Sequence, residues 1–479
     1  MKRASGVLMH VSSLPGGYSV GSFGEDARRF IDFLSESGFS FWQVLPFCSP
    51  DEFGSPYKSY SAFGANPYFI DLPTLYEKGL LTAEELRAAA ENTPYLAEFE
   101  RLGKERLKLL RSAAMRVSDR SEIIAYVKAR EELDLAARFM ALKEQNRDTP
   151  WQIWEKHEVD IDTYFTWQFI QYEFFTQWRA VKEYAASRGV KLIGDMPIYV
   201  SEDSCDVWAH REQFLLDSEG YPTEVAGVPP DYFSEDGQLW GNPLYNFEEM
   251  RSDGYRFWRT RMEYMLELFD GVRIDHFRAF ESFWSVPKGA TTAKAGRWVK
   301  GPGIELVEAL KNSARGGLII AEDLGDITDE VRALISEAGL PGMRVFQFAF
   351  LGDPESVHLP HNYPADCVAY TGTHDNNTTL GYVCELDLQT RRRVFDYCGY
   401  MGENLDTGAT CVVRCVLASH ADLAIISIQD LLGYGKDTRM NTPGRPEGNW
   451  RYRLTRSQLD SLDTDALFKL NELYGRAGK

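Results

Sequence analysis

Residues 271–278 read Gly-Val-Arg-Ile-Asp-His-Phe-Arg, a short apolar run closing on a carboxylate, with arginine two positions before it and histidine directly after. If 272–275 is a strand, its period of two puts Arg273 and Asp275 on one face and Val272 and Ile274 on the other. A permanent positive charge beside an aspartate lowers its pKa. An anionic Asp at a strand end is what a covalent nucleophile or a cation stabiliser requires. The same two residues could also be a purely structural ion pair, so the weight falls on what the other strand ends carry.

Three more apolar runs close on carboxylates: Asp195 in Ile-Gly-Asp-Met-Pro, Glu322 in Ile-Ala-Glu-Asp-Leu-Gly, and Asp375 in Thr-Gly-Thr-His-Asp-Asn. Like charges gathered at one mouth raise one another's pKa values, so that one group donates a proton at neutral pH while another stays ionised. Glycoside chemistry needs that division of labour. Glu322 follows the apolar residues 318–321 and has no basic neighbour within several positions. Its pKa should therefore rise, as suits a general acid/base. Asp275, paired with Arg273, should be the nucleophile, and Asp375, next to His374, could fix substrate hydroxyls.

Positioning these groups requires a scaffold. Apolar runs recur at 6–11, 41–47, 190–200, 272–277, 318–324, 343–350, 368–373 and 423–431, with helical patterns between several of them, as at 24–37, 258–269, 304–313 and 328–338. Eight strand-helix alternations predict a (β/α)8 barrel, an α/β fold whose catalytic groups sit at the C-terminal ends of its strands. The spacing is uneven. More than a hundred residues separate the second and third runs, and 82–147 is rich in Ala, Glu, Leu, Lys and Arg, which predicts a helical subdomain inserted at about 75–170. Residues 201–251 read as a long aromatic loop, a lid or binding segment without regular structure. One elaborated barrel over 1–479 is expected, with no separable domains.

Composition narrows the partners. Asp plus Glu is 71 against 52 Lys plus Arg, a formal charge of −19, which repels phosphate backbones and anionic lipid and so argues against nucleic acid or membrane. Seven scattered cysteines without a Cys-x-x-Cys pair fit reduced thiols and a cytoplasmic protein, with neither a disulfide framework nor a zinc ribbon. No segment is long and apolar enough for a membrane span or signal peptide. Aromatics sit in polar stretches (Tyr57, Tyr60, Phe63 and Tyr68, then Tyr221, Tyr232, Phe233, Trp240 and Tyr245). There they could stack on sugar rings or pack back on the scaffold. His276 is expected to be packed, His10 could reach the barrel mouth, and Trp151, Trp154, Tyr164, Phe165 and Trp167 read as helix packing. The turns at 301–303 and 433–437 lack the Gly-Lys-Ser/Thr ending of a phosphate loop.

The segments around Asp275, Glu322 and Asp375, in that order, resemble the catalytic segments of the amylomaltases or disproportionating enzymes, the 4-α-glucanotransferases of glycoside hydrolase family 77. Ser55-Pro56-Tyr57, Gly194-Asp195-Met196-Pro197-Ile198-Tyr199, Trp240-Gly241-Asn242-Pro243-Leu244-Tyr245 and Arg439-Met440-Asn441-Thr442-Pro443-Gly444 with Gly448-Asn449-Trp450 also resemble family segments. The resemblance implies Asp275 as nucleophile, Glu322 as acid/base and Asp375 as transition-state stabiliser. It places Asp195, Arg273 and His374 around the transferred glucose, Ser55, Tyr57 and the loop around Trp240 at flanking glucose units, and Asn242 and Asn441 among the substrate-binding residues. It implies α-1,4-glucans or maltooligosaccharides as donors, glucose or another glucan as acceptor, and no cofactor or metal. Three rivals stay open: an α-amylase-like hydrolase, a barrel hydrolase holding a metal on Asp195, Asp275, Glu322, His374 and Asp375, and a non-catalytic glucan-binding protein.

Overall fold

A computed structural model describes residues 2–51, 53–230, 235–352, 354–445 and 447–478; Tyr232 and Phe233 lie outside them. Twelve strands occur among these residues. They are β1 (Ala4–Leu8), β2 (Phe41–Gln43), β3 (Lys191–Met196), β4 (Glu224–Val228), β5 (Gln238–Pro243), β6 (Gly271–Ile274), β7 (Ser282–Pro287), β8 (Arg297–Lys300), β9 (Leu318–Ala321), β10 (Gly342–Val345), β11 (Cys367–Tyr370) and β12 (Leu423–Ser427). Eight of them, β1, β2, β3, β6, β9, β10, β11 and β12, close in that order into a parallel barrel. The protein is a (β/α)8 barrel, and each barrel strand overlaps one of the eight apolar runs.

The runs overshoot the strands at their C-terminal ends. There the chain turns at once into short helices, Val11–Ser13, Phe277–Phe280, Phe346–Phe348 and Ile428–Leu431, whose apolar residues pack on the top of the core. The barrel strands are short and almost wholly buried, as expected where helices cover a parallel sheet. The four helical patterns fold as helices Glu25–Glu36, Arg256–Leu268, Ile304–Ala314 and Asp329–Ala338. Gly194 on β3 admits the Phe269 ring, which would lie 2.3 Å from any Cβ added there. That close approach seats the helix-to-strand turn before β6 against the barrel.

Between β2 and β3 stand helices Leu72–Glu77, Ala83–Ala88, Phe99–Met115, Ser121–Lys128 and Glu131–Gln145, followed by Ile161–Ser187, which runs for 27 residues and continues down to β3. Trp151, Trp154, Phe165 and Trp167 are buried there.

The 201–251 stretch is more regular than its sequence suggests. It holds helices Cys205–Ala209 and Phe247–Ser252, together with β4 and β5. Those two strands join β7 and β8 in an antiparallel sheet of order β5-β4-β7-β8. Segment 239–245, poor strand material on its face, is mostly β5. It pairs with β4, which in turn pairs far along the chain, matching Gly227 to Trp284 of β7. A register shift between Val225 and Gly227 and the φ of +78° at Gly241 break the alternation that a period-two reading needs.

Candidate active site

The parallel register of β3 and β6 sets Asp195 directly beside Arg273, and both side chains point into the barrel, almost fully buried. The Arg273 guanidinium donates to both Asp195 oxygens at 2.7 and 2.9 Å through one nitrogen. Its other terminal nitrogen lies 2.8 Å from Asp275 Oδ1. The sequence suggested a pair; the fold makes Arg273 the bridge of a triad. Burial pushes the Asp195 carboxyl up while Arg273 pulls it down, and the Tyr57 hydroxyl donates to its Oδ2 at 2.5 Å. Because this guanidinium stands between the two carboxylates, it fills the position that a metal ion bridging them would take.

Removing Arg273 would leave a buried carboxylate unpaired. Arg273→Met is therefore expected to cost about 3–5 kcal/mol of stability, measurable by urea unfolding, and to lower turnover as Asp275 loses its partner. Activity and unfolding both near wild type would contradict the bridge.

Asp275 follows β6 directly, and its amide donates to Met196 O at 3.0 Å. His276 then adopts φ +48°, ψ +47°, a left-handed conformation that costs a side-chain-bearing residue strain. The kink turns the His276 amide onto Glu322, donating to Oε2 at 2.6 Å, while Leu324 N donates to Oε1 at 3.0 Å. So His276 acts through its backbone, with its ring edge-on to Trp240 at 4.9 Å and its imidazole pushed down by burial to about 4. Burial, reinforced by the nearby Asp275 charge and opposed by Arg273 and the two amides, raises the Glu322 carboxyl to about 8.

Asp375 sits on the turn after β11. Asn441 donates to its Oδ1 at 2.6 Å, and His374 Nε2 lies 3.3 Å from the same oxygen. The His374 ring stacks on Tyr57 at 5.1 Å, and Trp450 lies at 5.7 Å from His374 and 5.8 Å from Tyr57. His10 does reach the neighbourhood of His374, yet it is buried, accepts from the Leu45 amide and is held down to about 3. It is a neutral packing group.

Two cavities meet at Tyr57, Trp240 and Asp275. One, of about 930 Å3, runs past Tyr199, Ser201 and Asn242; the other, of about 360 Å3, runs past Ser55, His374, Asp375 and Asn441. Together they form a groove with Asp275 at its waist. Every catalytic or substrate-binding candidate named from the sequence except Asp195, Arg273 and Glu322 lines one or both halves, and those three lie buried beneath. The loop aromatics divide: Tyr57, Tyr60, Tyr221 and Trp240 line the groove, while Phe63 and Tyr245 are core residues. Asn242 donates to Val200 O at 2.8 Å and so ties β5 to the loop after β3.

Several contributors escaped the sequence reading. Asp430, just beyond β12, accepts from Thr371 Oγ1 at 2.5 Å and Thr379 N at 2.7 Å, pinning both ends of the segment that carries His374 and Asp375. The strand-end rule that found the other acids reaches it as well. Tyr199 and Trp450 lay in family-like segments without being singled out, and the 150–153 turn of the insert carried no signal toward the groove.

A barrel whose strand ends converge on buried, guanidinium-bridged acids beneath an aromatic groove is the site of a carbohydrate-active enzyme. Residues 9–459 match the family profile Glyco_hydro_77, described as 4-alpha-glucanotransferase. The chain is 42% identical to a 4-alpha-glucanotransferase of Streptococcus pneumoniae over 99% of its own length and 98% of the relative's. It is 43% identical to one from Thermus thermophilus over 96% of each chain. The amylomaltase of Streptococcus agalactiae, solved in complex with acarbose, superposes with a TM-score of 0.94 at 34% identity, covering 99% of this chain and all of the other. The chain belongs to glycoside hydrolase family 77, the 4-alpha-glucanotransferases.

Proposed function

We propose that this enzyme moves an α-1,4-glucan segment from a maltooligosaccharide or starch-type donor to the 4-hydroxyl of glucose or another glucan by a retaining double displacement. Asp275 attacks the anomeric carbon as Glu322 protonates the departing glycosidic oxygen, and a glycosyl ester forms on Asp275. The reducing-end fragment leaves. Glu322, now the base, takes the proton of the incoming 4-hydroxyl, and the ester bond breaks as the α linkage is remade. Asp375, His374, Asp195, Arg273 and Tyr57 hold the transferred glucose, with Ser55, Trp240, Asn242 and Asn441 around the flanking units.

The observation that carries this reading is the contrast between neighbours: Asp275 is partly exposed at the waist of the groove and paired with Arg273, while Glu322 is buried and raised to about 8. Such a pair supplies a nucleophile and a proton donor at once. That the S. agalactiae amylomaltase was solved in complex with acarbose supports a glucan-like ligand for this chain. Residues 201–251, with the β5-β4-β7-β8 sheet, act as a cover that favours a sugar acceptor over water, and the helices of 75–170 form a subdomain on the barrel. A cytoplasmic location suits its seven free thiols.

Maltotriose separates transfer from hydrolysis. Under transfer, glucose and longer maltooligosaccharides appear while the reducing-end concentration stays constant. A steady rise in reducing ends would make the protein a hydrolase.

A further inference from the structure

The larger half of the groove has a wall that no barrel strand supplies. Gln152 and Ile153, from the inserted helical segment, line it together with Tyr60, Ser201 and Tyr221. Two polar atoms on this wall are buried without a hydrogen-bond partner in the protein, Gln152 Oε1 and the hydroxyl of Ser201, a residue only 9% exposed. Both atoms are closed off behind the wall, so a sugar hydroxyl meets them only once their side chains rotate toward the groove, and neither gives up a hydrogen bond of its own in doing so. Beside them, Ile153 is 56% exposed, an apolar edge of the kind that the faces of sugar rings cover.

One side chain holds the wall in place. Lys143, in the last turn of helix Glu131–Gln145, is 1% exposed. Its ammonium reaches Asp203 Oδ2 at 2.5 Å and the carbonyls of Asp148 and Thr149 at 3.1 and 3.3 Å, which engages all three of its donors. It also lies 4.8 Å from the Tyr60 ring. Asp203 in turn accepts from Trp151 N at 3.3 Å, and the Trp151 indole donates to Glu202 O at 3.0 Å. The 148–153 turn, the loop after β3 and Tyr60 are thus fastened around a single buried charge.

We propose that this wall is a sugar-binding subsite beyond the glucose units that flank the cleaved bond, and that Lys143 is the positioning residue that assembles it. Chains long enough to reach Gln152, Ile153 and Ser201 gain contacts that short ones lack, so the insert sets chain-length preference. The inference rests on the proposed glucan transfer.

The test compares kcat/KM for maltoheptaose and maltotriose as sole substrates. In a Gln152→Ala, Ser201→Ala double variant the heptaose-to-triose ratio is expected to fall about threefold to tenfold, the worth of one or two hydrogen bonds, with the maltotriose value near wild type. Lys143→Met is expected to lower the same ratio. Should that variant fail to fold, the double variant decides. An unchanged ratio, or equal losses on both substrates, overturns the subsite. Reducing ends rising from maltotriose with wild-type protein would overturn the transfer reading instead, and the ratio would still judge the subsite.

Discussion

Asp275→Asn is expected to fold normally and to lose transfer from maltotriose by roughly 10⁴- to 10⁶-fold, the scale on which removing a covalent nucleophile acts. The two halves of this expectation have separate causes. Folding survives because Asp275 is partly open at the waist of the groove and because Arg273, the buried cation beside it, keeps two hydrogen bonds to Asp195. Turnover collapses because an amide oxygen cannot form the glycosyl ester, and Asp275 is the groove-lining carboxylate that Arg273 holds at the end of β6. Initial rates of glucose release, read beside the thermal unfolding midpoint, check both halves. A correctly folded variant with a rate near wild type would remove Asp275 from the chemistry.

Glu322→Gln is the second large effect. The wild-type carboxyl titrates near 8, so it holds its proton below that pH and can donate it to the leaving oxygen. As pH rises through 8 the donor is lost, and kcat/KM, which reports the free enzyme, should fall on that alkaline limb. The glutamine has no proton to give. Its rate should drop by about 10²- to 10⁴-fold, and the limb near pH 8 should vanish from what activity remains. α-Glucosyl fluoride, whose leaving group needs no protonation, should recover the first step in the variant while the second, which needs a base, stays slow. If the variant kept the same alkaline limb, Glu322 would not be the acid.

The chemistry was legible at strand ends and illegible across loops. Asp195, Asp275 and Glu322 each follow an apolar run, and a parallel barrel carries every such end to one mouth. Reading eight runs was therefore enough to gather the acids. The 201–251 stretch shows the opposite. β5 forms only by pairing with β4, and β4 by pairing with β7 some sixty residues away, so neither has a local pattern strong enough to read. Lys143 was likewise just one charge among many in a helix-forming stretch until its buried partner, Asp203, was brought to it from beyond β3.

By itself, then, the sequence determined the barrel, the acids at its mouth and the glucanotransferase family, because each rests on a short run of neighbouring residues. Only the tertiary structure decided that Arg273 bridges Asp195 and Asp275, that a left-handed turn at His276 aims its amide at Glu322, and that the 150–153 turn of the insert walls the groove. Those facts depend on register between strands and on burial, which raises Glu322 to about 8. Register and burial belong to distant segments packed together, and no local pattern encodes them.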